Sequence, residues 1–284
     1  MMMKIVLDTD TYNEIDDQFA LSYLLRSEQE NDIEVQAIYA APFFNDRSTG
    51  AEDGMVKSFE EIERLLERLN RREVPHFRGA TYFLSDNDRP EKNAAVLDLI
   101  GRAKMADSSD KLQIIAIGAI TNIASAILLD PCVVENCHLI WLGGHALNYP
   151  HNREFNLMGD IKAVQTVFDS HIDLTVVPCK GVSSHLTSSR EELSTYLDLN
   201  DPLCAFLYKR FSDYLTEGMG TKEIWDVAAV ATLLLPEAIK TYHYPTPRVA
   251  SDGSYILDPR REPMEVVYEL DRDEIYRDLY KKLS

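Results

Sequence analysis

Short apolar runs alternate with longer stretches in which apolar residues recur every three or four positions. Residues 4–7 form a continuous run, rich in β-branched side chains and stopped by acids, which predicts a buried strand. Over residues 17–26 the spacing of Phe19, Ala20, Tyr23 and Leu24 puts them on one face of a helix. The same reasoning predicts strands over 33–39, 112–117, 137–142 and 174–177. It predicts helices over 58–70, 121–129 and 161–168; in the first of these Phe59, Ile62, Leu65, Leu66 and Leu69 keep the three-and-four spacing. Strands alternating with helices imply right-handed crossovers, hence an α/β fold with a mostly parallel central sheet flanked by helices on both faces. Beyond residue 188 extra helices are predicted over 191–196, 203–215 and 226–235. Residues 249–270 predict a β-hairpin turning at Asp252-Gly253, and 271–283 a final helix. No repeat, low-complexity tract or linker divides the chain, so a single domain over residues 1–284 is expected.

Composition narrows the class. A hydrophobic content of 45% in 284 residues is ample for one large core. The formal net charge of -18 repels phosphate backbones and anionic lipid, so neither nucleic acid nor membrane is an expected partner. The opening Met-Met-Met-Lys-Ile-Val-Leu-Asp reaches a carboxylate too soon for a signal peptide. Cys132, Cys137, Cys179 and Cys204 form no C-x-x-C pair, which argues against zinc and suits buried thiols in a reducing compartment. A cytoplasmic location is the expectation.

Ligands of open parallel sheets bind beyond the carboxyl ends of the strands, so the residues that follow each strand carry the chemistry. After the first strand, Asp8-Thr9-Asp10-Thr11-Tyr12-Asn13-Glu14-Ile15-Asp16-Asp17 holds five carboxylates in ten residues. A solvated acidic loop is the plain reading. Yet these acids follow directly on a buried strand, which sets the first of them at the rim of the core, where unpaired like charges are costly. A hard divalent cation removes the repulsion. Oxygen donors suit calcium or magnesium, and no His or Cys lies in the loop to favour zinc.

Asp8-x-Asp10 and Asp16-Asp17 resemble the Asp-x-Asp-x-Gly-x-Asp-Asp with which the inosine-uridine-preferring nucleoside hydrolase family opens. Here five residues separate the pairs where the family usually has three, and the glycine is absent. Further segments follow in family order. Val74-Pro75-His76-Phe77-Arg78-Gly79-Ala80 is similar to Pro-Val-x-x-Gly-Ala, and Ile117-Gly118-Ala119-Ile120-Thr121-Asn122-Ile123-Ala124 to Thr-Gly-Pro-Leu-Thr-Asn-Ile-Ala. Leu142-Gly143-Gly144 looks like Met-Gly-Gly, Glu154-Phe155-Asn156 matches Glu-Phe-Asn with Asn148 before it, and Trp225-Asp226 falls where the family has an aromatic or His before Asp.

The resemblance implies a nucleoside hydrolase-like fold with a Rossmann-like core, and hydrolysis of the N-glycosidic bond of a ribonucleoside or related N-riboside. It implies one Ca2+, held by Asp10, Asp17, Asp226 and the main-chain carbonyl of Ile117, with Asp10 as general base on the attacking water. For the sugar it implies Asp16 at the 2′- and 3′-hydroxyls, Asn156 at the 3′-hydroxyl, Glu154 and Asn148 at the 5′-hydroxyl, and Asn45 as a further contact. Asp226 is also a natural helix N-cap, Glu154-Phe155-Asn156 an ordinary turn, and Asn45 a turn cap with Asp46. Trp225 replaces the His that some members use as leaving-group acid; an indole is a poor acid, so it would stack on the base or fill the core. His145, Tyr149, His151 and His185 are candidate donors, and Arg153 a contact for an anionic substituent. Base contacts are expected around Phe43-Phe44, residues 145–153 and residues 214–225. A homodimer or homotetramer is expected from the family.

Two rival readings stand beside this one. Leu7-Asp8-Thr9-Asp10-Thr11 also fits the opening of haloacid-dehalogenase-type phosphatases, with Asp8 as nucleophile, Asp10 as acid/base and Mg2+ as the metal. That family needs a downstream lysine, for which Lys180 would serve, and a late acidic pair after a strand, which is missing. The altered spacing and the absent His also admit a calcium-dependent ribose or nucleoside binder that has lost catalysis.

Overall fold

In the computed structural model, which describes residues 2–28, 30–215 and 220–284, the chain's first strand is the axis of the sheet. This strand, β1 (Met3–Thr9), is followed by β2 (Ile33–Ala40), β3 (His76–Arg78), β4 (Leu112–Ala116), β5 (Cys137–Leu142) and β6 (Asp173–Val177). After two short strands, β7 (Thr187–Ser189) and β8 (Thr221–Glu223), come β9 (Ile239–Pro245), β10 (Arg248–Val249), β11 (Tyr255–Ile256) and β12 (Pro263–Leu270). The main sheet of the described residues has eight strands in the order β3-β2-β1-β4-β5-β6-β12-β9. Every neighbouring pair is parallel except β12 and β9 at the edge. The order runs outward to one side from β1 and resumes on the other at β4, so a crevice opens between the carboxyl ends of these two strands.

Both faces are covered, as the apolar runs predict. Side chains alternate along a strand, so β1 sends Ile5 and Leu7 into one core and Val6 into the other. The first core is closed by the helices Asp16–Ser27, Ala51–Arg68, Pro202–Tyr214, Val227–Leu234 and Arg272–Leu283. The second is closed by Ala94–Ala103, Thr121–Leu129 and Ile161–Asp169. No helix among the described residues is long and apolar enough to cross a membrane.

Several elements differ from the predictions. The helix expected over 58–70 begins at Ala51, because Glu52, Asp53 and Gly54 break its apolar stripe without breaking its backbone. The hairpin at Asp252-Gly253 exists, but its arms are only the two-residue strands β10 and β11. The longer β12 does not pair back on them; it inserts in the main sheet between β6 and β9. β9 itself and the helix Ala94–Ala103 are not predicted above.

Candidate active site

The crevice beyond β1 and β4 is a cavity lined by Asp10, Asn13, Glu14, Asp16, Asp17, Ile117, Leu142, Glu154, Phe155, Asn156, Trp225 and Asp226. Strand ends and helix starts deliver these groups. Asp10 follows β1, Asp16 and Asp17 open the next helix, and Ile117 follows β4. Glu154 precedes the short helix Phe155–Gly159, and Asp226 precedes Val227–Leu234. Asp226 stands at the N-cap position of its helix, yet its side chain caps nothing and turns to the other carboxylates. Gly118 leaves the space Asp10 needs: a Cβ there would meet Asp10 Cγ at 3.1 Å.

Asp10, Asp16, Asp17 and Asp226 are all buried. Oxygens of Asp16, Asp17 and Asp226 lie within 4.8 Å of one another. Asp10 adjoins Asp17, and neither of its buried oxygens has a hydrogen-bond partner; Oδ1 of Asp16 has none either. Burial raises the pKa of Asp10 well above the carboxylate range, and the charges of Asp17 and Asp16 raise it further. Asp226 is pushed up in the same way, by burial and then by Asp16, Asp17 and Asp10. Asp17 rises to about 6 through burial, restrained by the hydroxyl of Thr9, which donates to its Oδ1 at 2.6 Å. Burial also lifts Asp16, against the opposing charge of Lys222. Four acids enclosed together by protein, two of them with bare oxygens, are an unstable arrangement when ionised. The donors are oxygens alone, so the set fits a hard divalent cation.

The remaining predicted residues divide. Asn156 lines the cavity with its amide nitrogen engaged: Nδ2 donates to the carbonyls of Ile117 at 3.2 Å and Leu142 at 3.0 Å. What it offers a ligand is its carbonyl oxygen, and the Ile117 carbonyl keeps its second lone pair. The Glu154 carboxylate accepts from the backbone N–H groups of Gly144, Asn156 and Leu157 at 2.8 to 2.9 Å, so it caps its helix and borders the cavity at once. Trp225 lines the cavity, half-buried. Asn45 does not; its Nδ2 donates to Oδ1 of Asn13 at 2.6 Å, and it is Asn13 that reaches the cavity. Asn148 is exposed and outside the lining.

Nor do the candidate proton donors line the cavity. His145, Tyr149 and His151 pack against one another, with ring centroids 4.9 to 5.4 Å apart. Burial lowers His145 to about 4, and its Nδ1 accepts from the N–H of Lys180. Both nitrogens of His185 face carbonyls, of Val182 at 2.7 Å and Leu270 at 3.0 Å. Arg153 is exposed. Of the segments expected to meet the base, residues 216–219 lie outside the described residues.

Sequence reasoning missed Lys222. It is buried on β8, and its ammonium lies 2.8 Å from Oε2 of Glu14 and 5.0 Å from the centre of the Trp225 ring. The hydroxyl of Tyr214 donates to the other oxygen of Glu14 at 2.9 Å. No motif marks this cluster; only tertiary proximity makes it.

Asp8 answers the phosphatase reading. It is fully buried, outside the cavity lining, and its Oδ2 accepts from Asn122 Nδ2 at 2.8 Å. Burial raises it to about 7. Such a side chain holds strands together and cannot serve as a nucleophile. Asn122 completes the clamp by accepting from the N–H of Ala80 and donating to the carbonyl of Ala40, which ties β1, β2 and the segment after β3.

Known proteins resemble this chain in sequence and shape. The non-specific ribonucleoside hydrolase RihC of Klebsiella pneumoniae (strain 342) is 31% identical over 141 residues, which are 48% of this chain and 45% of that protein. RihC of Salmonella schwarzengrund (strain CVM19633) is 31% identical over 140 residues, again 48% and 45%. The chain thus spans about half the length of these curated relatives in the matched region. In shape it is similar to the plant nucleoside hydrolase PpNRh1, with a TM-score of 0.80 at 20% identity, covering 100% of this chain and 99% of that one. It is equally similar to the purine-preferring ribonucleoside hydrolase from Gardnerella vaginalis, with 0.80 at 20% identity, covering 99% and 98%. These likenesses speak for the fold. The family model "Inosine-uridine preferring nucleoside hydrolase" matches residues 5–277, and the chain belongs to that family.

Proposed function

We propose that this protein hydrolyses the N-glycosidic bond of a ribonucleoside, or of a closely related N-riboside, to free base and ribose. The observation that carries the reading is Asp10, whose buried oxygens have no partner and face a cavity shared with Asp16, Asp17 and Asp226. Asp10, Asp17, Asp226 and the carbonyl of Ile117 would hold Ca2+, which supplies compensating charge and makes a water more acidic. Asp10 is then the general base: one of its oxygens takes the proton of the water that attacks C1′. The C1′–O bond forms as the C1′–N bond breaks, and the base departs with the electron pair. The sugar becomes oxocarbenium-like on the way, which negative side chains around it stabilise. Asp16 accepts from the 2′- and 3′-hydroxyls, and the carbonyl oxygen of Asn156 from the 3′-hydroxyl. Glu154 accepts the 5′-hydroxyl while holding its helix. Trp225 offers an aromatic face at the mouth.

The test is ribose released from a panel of purine and pyrimidine ribosides with added Ca2+. Release from at least one is the expected result. Tight binding of ribosides with no ribose at any pH would mark a binding protein instead of an enzyme.

A further inference from the structure

A second depression adjoins the carboxylate cavity, and Phe155 lines both. Its walls are Phe43, Phe44, Phe83, Ala119, Phe155 and Met158, and no lining side chain is charged or able to hydrogen-bond. Three of these apolar groups stand open to solvent: Phe44 is 61% exposed, Phe155 41% and Met158 39%. Single exposed apolar residues are ordinary, but a contiguous set beside a polar cleft is how ligand grooves are built. The floor is kept low by small residues. A Cβ on Gly159 would sit 3.2 Å from the Cβ of Ala119, and Ala119 stands where the family motif has proline.

We propose that this groove receives the leaving group, and that it selects by aromatic stacking and apolar area instead of by hydrogen bonds. The substrate class is then ribosides whose leaving group is a flat aromatic ring bearing an apolar substituent. This rests on the hydrolase reading. Phe155 lines both depressions, so a leaving group at the edge of the carboxylate cavity has this groove as its neighbour. A groove without polar side chains cannot compensate a buried polar ring edge, whereas an apolar substituent gains by leaving water. Such pockets discriminate modestly, by about 10- to 200-fold per apolar group, because nothing in them is left unpaired by the wrong ligand.

The experiment compares wild-type protein with Phe44→Ser and Met158→Thr, loaded with Ca2+, on uridine, inosine and N6-benzyladenosine. Ribose release gives kcat/KM, and titration calorimetry with free 6-benzylaminopurine gives binding apart from turnover. Both side chains are exposed enough for their removal to spare the core. The benzylated riboside should exceed inosine by about tenfold or more in kcat/KM. Each variant should lose about fivefold for the benzylated riboside and for 6-benzylaminopurine binding, and a smaller factor for uridine, whose ring carries no apolar substituent. Ribose release that favours inosine and ignores both substitutions would overturn the groove and leave the hydrolase intact. No ribose from any riboside, with 6-benzylaminopurine binding weakened by the substitutions, would sink the hydrolase reading and keep the groove as an aromatic site. Binding indifferent to both substitutions overturns the inference whatever the turnover.

Discussion

A carboxylate enclosed without a hydrogen bond must be stabilised by something outside the protein's own side chains, and Asp10 carries that demand most heavily. Its neighbours are other acids, so neutralising it should relieve strain even as it removes function. Asn occupies the same volume as Asp and carries no charge. In Asp10→Asn, the cation-free protein should therefore unfold at the same temperature as wild type or higher. Turnover should fall by about two to four orders of magnitude, the usual worth of a positioned general base. Thermal unfolding and ribose release, measured on one preparation, separate the two effects. A fully active variant would remove Asp10 from the role of base.

Elements bring these residues together, and the least conspicuous of them is the strap formed by β7 and β8. It holds Lys222 against Glu14, and with it the stretch between Asp10 and Asp16 that is two residues longer than the family pattern. Lys222→Met keeps the stem and removes the charge, so Glu14 is left facing Asp16 uncompensated. Breaking a pair of this partial burial costs roughly 1 to 3 kcal/mol. Since loop position is lost and not a reacting group, KM should rise by about tenfold with a smaller change in kcat, and Lys222→Arg should recover part of it. An unchanged KM would show that the strap does not position the loop. The strap also marks where sequence reading ends. β1, β2, β4, β5 and β6 are legible because each is an apolar run closed by polar residues, and the acids after β1 are legible because a strand end implies a binding edge. β12 reads as a hairpin arm since Asp252-Gly253 is a local signal, whereas its insertion beside β6 depends on partners about ninety residues away. β9 alternates exposed and half-buried positions on the sheet edge and gives no apolar run to find. Lys222, Asn13 and the tie between Asn45 and Asn13 likewise depend on contacts that no spacing encodes.

For the whole molecule the acidic cavity sets a balance between protons, cation and stability. Asp8 and Asp17 have folded-state values of about 7 and 6, above the 3.8 of a free aspartate, and Asp10, Asp16 and Asp226 shift in the same direction. The folded chain therefore binds more protons than the unfolded chain between about pH 4 and pH 7. Without a cation, stability must fall as pH rises through that window, the reverse of a protein whose acids are held by salt bridges. A divalent cation needs the ionised oxygens, so it competes with protons and restores stability mainly where the cation-free protein is weakest. At a Ca2+ concentration of about 100 times its dissociation constant the gain is roughly 2.7 kcal/mol, or roughly 5 to 10 °C in Tm for a chain of this size. Calorimetric scans with Ca2+ or with EGTA should show that shift at pH 8 and a much smaller one at pH 5, and EGTA should abolish ribose release until Ca2+ is returned. A Tm blind to Ca2+ at both pH values, or a shift larger at pH 5, would mean that the buried acids hold no cation, and that Asp10, Asp17 and Asp226 meet for some other reason.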